Sequence, residues 1–197
     1  MKKNSLLFFI LLMSSMCMTN CNKTKKMKDI LFPDQSYEKA NVDIFYWSSE
    51  GWDYSVVPLI KPYKMQQLQG SRNWMMETYI ATPKIETFHN KNIVLNSFDP
   101  IEKFNVSGKF IYGYQGEKLD FDEKDKIPRI WFLINIETEE VTGFESESDF
   151  KTELKKLNLP EELLSPDVVY GQYKNDPVLP WFPDDVKKQL EEVKAKK

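Results

Sequence analysis

The sequence predicts an α+β fold, with mainly antiparallel sheet from the N-terminal and central chain and helices late in the chain. Three observations predict it. Lys109-Phe110-Ile111-Tyr112-Gly113-Tyr114 and Arg129-Ile130-Trp131-Phe132-Leu133-Ile134-Asn135-Ile136 are rich in aromatic and β-branched residues, as strands are. After Ser146 the apolar spacing changes, with Phe150, Leu154 and Leu157 falling on one helical face. Strands therefore precede helices rather than alternating with them, which favours α+β over βαβ units.

Taken in order, Val42 to Trp47 reads as a strand followed by a turn at Ser48–Gly51. Tyr54 to Ile60 reads as the return strand, placed at a sheet edge because Pro58 and Pro62 cannot donate to a ladder. Trp74 to Ala81, Lys84 to His89 and Asn92 to Asn96 continue the rhythm of strand and turn. The run from Arg129 is nearly continuously apolar, so both faces should be covered and the strand central. Between the two clearest strands, 116–126 is an acidic loop, and Glu137–Glu140 turns the chain into Val141–Phe144. Ser146 is placed to cap a helix, with Asp149 in its first turn, and Pro160 stops it. Pro183 opens the last helix, whose stripe is Val186, Leu190 and Val193.

The first 21 residues carry a different kind of information. Lys2 and Lys3 precede the apolar run Leu6–Met13, then small polar residues, then Cys21: the order of an export signal. The stretch from Leu6 to Met18 is shorter than the ~20 apolar residues a membrane span needs, and it contains Ser14 and Ser15. No A-x-A-like site precedes Cys21. Met18-Thr19-Asn20-Cys21 instead resembles a relaxed lipobox, the cleavage motif of bacterial lipoproteins, with Met18 where Leu is commonest and Asn20 where Gly, Ala or Ser is. The resemblance implies cleavage before Cys21 and acylation of its thiol. It divides the chain into a signal peptide at 1–20, a lipidated cysteine and flexible tether at 21–40, and one α+β domain at 41–197. Cys17, behind bulky Met16, is the poorer acceptor.

Both cysteines of the chain lie in this leader region, so a mature chain starting at Cys21 keeps one thiol and forms no internal disulfide. Cysteine-nucleophile, zinc-thiolate and iron–sulfur chemistry drop out with it. Lys23, Lys25, Lys26 and Lys28 lack periodicity and read as a solvated tether that anionic headgroups attract weakly. Asn22 is not the Asp that retains many enteric lipoproteins in the inner membrane, so the resemblance implies outer-membrane placement. The order Trp131–Ile136, tight turn, Gly143-Phe144 and capped helix is similar to the last third of various small bacterial lipoproteins, and implies no activity.

The chain carries 30 acidic against 27 basic residues, and Lys2 and Lys3 leave with the leader. That balance excludes a nucleic-acid binder, which needs a concentrated basic surface. His89 is the one histidine, beside Asn90 at a turn, with no G-x-S-x-G elbow to supply a nucleophile. Counted from Asp120, the sixth residue of an EF-hand loop is Asp125 rather than Gly, and the twelfth is Trp131 rather than Glu. Val106-Ser107-Gly108-Lys109 lacks the earlier glycines of a phosphate loop and reads as a turn entering a strand. No cofactor or metal site is expected.

Aromatic residues are the compositional excess, with 5 Trp, 9 Tyr and 13 Phe. Aromatic-rich β cores account for most of them, Trp131 included. Trp52, after Gly51 in a turn, and Trp181, between Pro180 and Pro183, are the candidate partner-binding residues. The sequence thus leads to an envelope lipoprotein anchored to the bilayer through Cys21, with a binding, accessory or immunity-type role toward an envelope protein, a glycan or a toxin. The alternatives are an envelope hydrolase of glycosidase type using paired carboxylates, with one or two of Asp120, Asp122 and Glu137 converging in a cleft, and a secreted domain cleaved near Ser15.

Overall fold

A computed structural model of the chain describes residues 36–49, 51, 53–77, 84–88, 91–94, 97–119 and 126–196. The chain divides between Asn41 and Val42 into two units, each described by itself. The first contributes the single-turn helix α1, Ser36–Lys39. Asn41 ends it with a φ of 59°, a left-handed conformation that Asn tolerates, and donates its N–H to the Glu38 carbonyl at 2.9 Å.

The second unit begins with a 3-10 turn over Ile44–Tyr46, where alternation predicts a strand. Local hydrogen bonding overrides that pattern. The Asp43 carboxylate accepts from the Phe45 N–H at 3.0 Å, and the Trp47 indole donates to the Val42 carbonyl at 3.0 Å. Such side-chain bonds offer the backbone an alternative to a ladder.

The described strands are β1 Tyr54–Pro58, β2 Lys64–Leu68, β3 Met75–Glu77, β4 Lys84–Phe88, β5 Lys91–Val94, β6 Ser97–Phe98, β7 Ile101–Ser107, β8 Phe110–Gln115, β9 Lys118–Leu119, β10 Lys126–Ile127, β11 Ile130–Asn135 and β12 Glu140–Phe144. All described pairings are antiparallel. One sheet runs β1-β2-β3-β6 and another β12-β11-β8-β7, while β4–β5 and β9–β10 are two-stranded ribbons. Pro58 ends β1, which is an edge strand as its prolines predict. β11 lies inside its sheet, and its alternate residues Ile130, Phe132 and Ile134 are fully buried. β7 and β8 join through the two-residue turn Gly108-Lys109, with Gly108 at a φ of 58° as a tight hairpin requires.

The two four-stranded sheets meet through Phe98 of β6 and Phe132 of β11, both fully buried, with rings stacked 4.1 Å apart. On the other face of the second sheet, Tyr112 and Leu133 form a core cluster with Phe150 and Leu154 of helix α2, Glu147–Lys156. Burying each such side chain contributes roughly 1.5–3 kcal/mol. The Ser146 hydroxyl caps α2 by accepting from the Asp149 N–H at 3.1 Å, and Asn158, at a φ of 54°, turns the chain out of it. After α2 the chain returns along the outer edge of β7, where Phe104 and Leu164 exchange backbone hydrogen bonds of 3.1 and 2.7 Å.

Helix α3, Pro166–Asn175, is absent from the sequence reading, as are strands β2 and β7. Val168, Val169 and Gly171 are weak helix formers, and Ser165 makes no side-chain cap. Helix α4 spans Asp184–Lys194, with Leu190 and Val193 buried. The second unit is therefore α+β, with its sheets early and central and its three longer helices late. Among the described residues, no helix is long and apolar enough to cross a membrane.

Candidate functional site

Alternate residues of a strand face the same way. On the α2-covered face of the second sheet, residues opposite one another across strands therefore form rows. One row, Asn105, Tyr112, Leu133 and Thr142, lies at the core cluster under α2. The next row is Lys103, Tyr114, Trp131 and Phe144. It lies toward the first turn of α2, and a groove of about 260 Å³ opens there.

Lys103, Tyr114, Arg129, Trp131, Glu147 and Lys151 line this groove, together with Glu161 and, at its apolar base, Phe150 and Leu163. Tyr114 and Trp131 are half-buried, with ring centroids 6.1 Å apart and planes tilted by 47°. The Arg129 guanidinium lies over both rings, 4.8 Å from the centroid of Tyr114 and 6.0 Å from that of Trp131. One helical turn apart on α2, Glu147 and Lys151 pair at 2.8 Å.

A β-bulge follows Lys103 toward the start of β7. Ile101 opposes Gln115 and Lys103 opposes Tyr114, so Glu102 is the extra residue. Its carboxylate accepts from Arg129 at 3.3 Å. Two glycines make room. A Cβ on Gly113 would collide with the Lys103 carbonyl oxygen and lie 2.7 Å from the Phe104 Cα, and a Cβ on Gly116 would occupy the place of the Glu102 carboxylate.

The groove's lining carries three cations, Lys103, Arg129 and Lys151, and two carboxylates, Glu147 and Glu161. The hydrogen bond and charge of Lys151 hold the Glu147 carboxyl below its usual range, with Arg129 adding to the effect. Glu147 in turn raises Lys151. Burial, then the Glu102 charge, raises the Tyr114 hydroxyl.

The indole N–H groups separate the described tryptophans. Trp47 donates to the Val42 carbonyl, Trp74 to the Asp167 carboxylate at 2.8 Å, and Trp181 to the Pro58 carbonyl at 3.1 Å. Trp131 has no acceptor among the described residues, and its N–H is not a buried orphan.

Trp181 is held within the fold: its N–H is committed to Pro58, and its ring packs edge-on against Phe104 at 5.8 Å. Trp131, read from sequence as core, packs against the Tyr112–Phe150 core cluster and, half-buried like Trp181, also lines the groove. Cys21, Trp52, His89, Asp120 and Asp122 lie outside the described residues. A second hollow of about 260 Å³ opens at the Tyr54–Leu68 end of β1 and β2, and among the described residues Asp53 is the one charged group lining it. Glu137 is exposed on the turn after β11, its carboxylate paired with Lys109 at 2.6 Å. Among the described residues, no group of three or more His, Cys, Asp or Glu could hold a metal ion.

No family model, curated protein or solved structure matches this chain.

Sequence reasoning missed the groove because the apolar run of β11 masks its alternation. The available signal was Arg129, Trp131, Leu133 and Asn135 at every second position, with Tyr112 and Tyr114 in the facing strand.

Proposed function

We propose that this chain is a lipoprotein of the bacterial envelope, acylated at Cys21, whose folded domain binds a partner through the Tyr114–Trp131 groove. The leader and relaxed lipobox support the anchoring, with the outer membrane as the compartment that Asn22 favours. The observation that carries the binding role is the groove itself, lined by half-buried Tyr114 and Trp131 and by charged side chains whose own pairings are solvent-exposed. Exposed ion pairs contribute at most about 1 kcal/mol each, so a ligand can take over their hydrogen-bonding groups with little loss to the fold.

Two measurements test the reading. Intact mass of the protein from the detergent-extracted membrane fraction should correspond to a chain beginning at Cys21 with diacylglycerol and acyl additions. An unmodified chain in the soluble fraction overturns the anchoring. Solubilised envelopes passed over the immobilised protein should leave a component that Trp131→Ala and Arg129→Ala release. Equal retention by the variants overturns the groove as the binding site.

A further inference from the structure

Resting on the binding role proposed above, we infer that the groove takes a small organic acid as its carboxylate, with the charge held by Lys103 and Arg129 and the apolar body at the Phe150–Leu163 base.

Charge gives the first argument. The carboxylates at the groove are already paired: Glu102 with Arg129 at 3.3 Å, Glu147 with Lys151 at 2.8 Å, and Glu161 with Lys155 at 3.5 Å. Lys103, half-buried in the lining, has no ion-pair partner among the described residues. One positive charge is therefore in excess, in a chain that carries 30 acidic against 27 basic residues. A monoanion matches it. A cation would have to displace a partner from one of the carboxylates, and a dianion such as phosphate brings a second charge toward all three.

Unused donors give the second. Arg129 donates one hydrogen bond, to Glu102, out of the five N–H donors of a guanidinium. Its attraction to the Tyr114 and Trp131 rings, 4.8 and 6.0 Å from their centroids, holds the group in place without supplying an oxygen acceptor. The side chains of Arg129 and Glu102 are 45% and 43% exposed, so the remaining donors are open to solvent. An ionised carboxylate only accepts, and its two oxygens can take guanidinium and ammonium N–H groups together. A neutral amide or hydroxyl leaves the Lys103 charge unmatched.

Size and surroundings give the third. Phe150 and Leu163 set an apolar base beside these charges, which suits an acid with a hydrocarbon body. About 260 Å³ lies just below the roughly 300–1,000 Å³ of drug-sized ligand pockets, and admits one compact molecule. An extended peptide needs a strand edge or a long groove. On the adjoining β7 edge, Leu164 already takes the Phe104 N–H and carbonyl.

The test is titration of tryptophan fluorescence in the full-length protein, extracted in an uncharged detergent, with hexanoate and cyclohexanecarboxylate. Hexanamide and cyclohexanecarboxamide present the same bodies without the charge, and inorganic phosphate presents charge without the body. Saturable binding of at least one acid is expected, weakened by added salt, with its amide about tenfold weaker or more. Lys103→Gln should weaken the acid about fivefold or more. Lys103→Arg, which keeps the charge, should retain most of the binding and so separates lost charge from lost folding. An amide that binds as well as its acid, phosphate that binds more tightly than either acid, acid binding indifferent to Lys103→Gln, or no saturation by either acid overturns the inference. If neither acid binds yet envelope capture still depends on Trp131 and Arg129, the carboxylate assignment fails and the groove's binding role stands.

Discussion

The indole N–H of Trp74 donates to the Asp167 carboxylate at 2.8 Å, joining the residue before β3 to the first turn of α3 across 93 positions of sequence. Trp74 is almost wholly buried, and its ring also packs against Tyr170 at 5.4 Å. A hydrogen bond to a charged acceptor contributes about 1.5–3 kcal/mol. Trp74→Phe should lower unfolding stability in urea by an amount in that range. A change under about 0.5 kcal/mol, the size of an ordinary surface substitution, would show that α3 is not tied through this bond.

Trp131 and Trp181 should respond oppositely to one substitution. Trp181→Phe leaves the Pro58 carbonyl without its donor, which should cost about 0.5–1.5 kcal/mol of stability. Trp131→Phe breaks no such bond and should stay within about 0.5 kcal/mol of the parent protein. Denaturant melts of both variants check this, and a larger loss at Trp131 reverses the assignment.

Two glycines make a second contrast. At Gly113 the colliding atoms are backbone, from Lys103 and Phe104 of the paired strand β7, and cannot rotate away. Gly113→Ala should cost more than about 3 kcal/mol, beyond the usual 1–3 kcal/mol of overpacking, or prevent folding. Gly171, inside α3, has open space where a Cβ would stand, with nothing within 4 Å, and Gly171→Ala should stabilise by about 0.5–1 kcal/mol. Thermal melts that rank the two variants alike would refute the close approach of the β7 backbone as the reason for Gly113.

Tyr112 predicts a dependence on alkaline pH. Burial pushes its hydroxyl from 10.0 up to about 12, and that hydroxyl donates to the Pro160 carbonyl at 3.0 Å. The folded protein therefore keeps a proton that the unfolded chain gives up. Stability is complete below pH ~10 and declines as pH rises toward about 12. Tyr112→Phe should cost about 0.5–1.5 kcal/mol at neutral pH through the lost hydrogen bond, and should flatten part of the alkaline decline. Tyr46, Tyr63 and Tyr114 are raised in the same direction, so some decline remains. Equal alkaline slopes for the two proteins count against the assignment.

What was legible in the sequence was what neighbouring residues decide. The apolar runs of β8 and β11, the Ser146 cap and the Phe150–Leu154 spacing each need only a few adjacent positions to be read. The α+β class followed from their order. The strand expected at Val42–Trp47 failed for an equally local reason, the Asp43 and Trp47 side-chain bonds. Helix α3 had a start signal in Ser165-Pro166-Asp167, outweighed by its β-branched pair and glycine. The groove depends on pairings distant in sequence. Lys103, Tyr114 and Trp131 align through the β7–β8 and β8–β11 registers, and nothing in the local pattern marks Glu102, just beyond that row, as the extra residue.

The Trp181–Pro58 bond has a consequence for the order of folding. β1 and β2 can pair as soon as their own short stretch of chain is available. The Pro58 carbonyl meets its indole only after 123 further residues, and Trp74 waits 93 for Asp167. Contacts so far apart in sequence require large loops to close before they contribute, and they slow folding. The first sheet is thus drafted early and completed late, its last partners arriving from the final quarter of the chain.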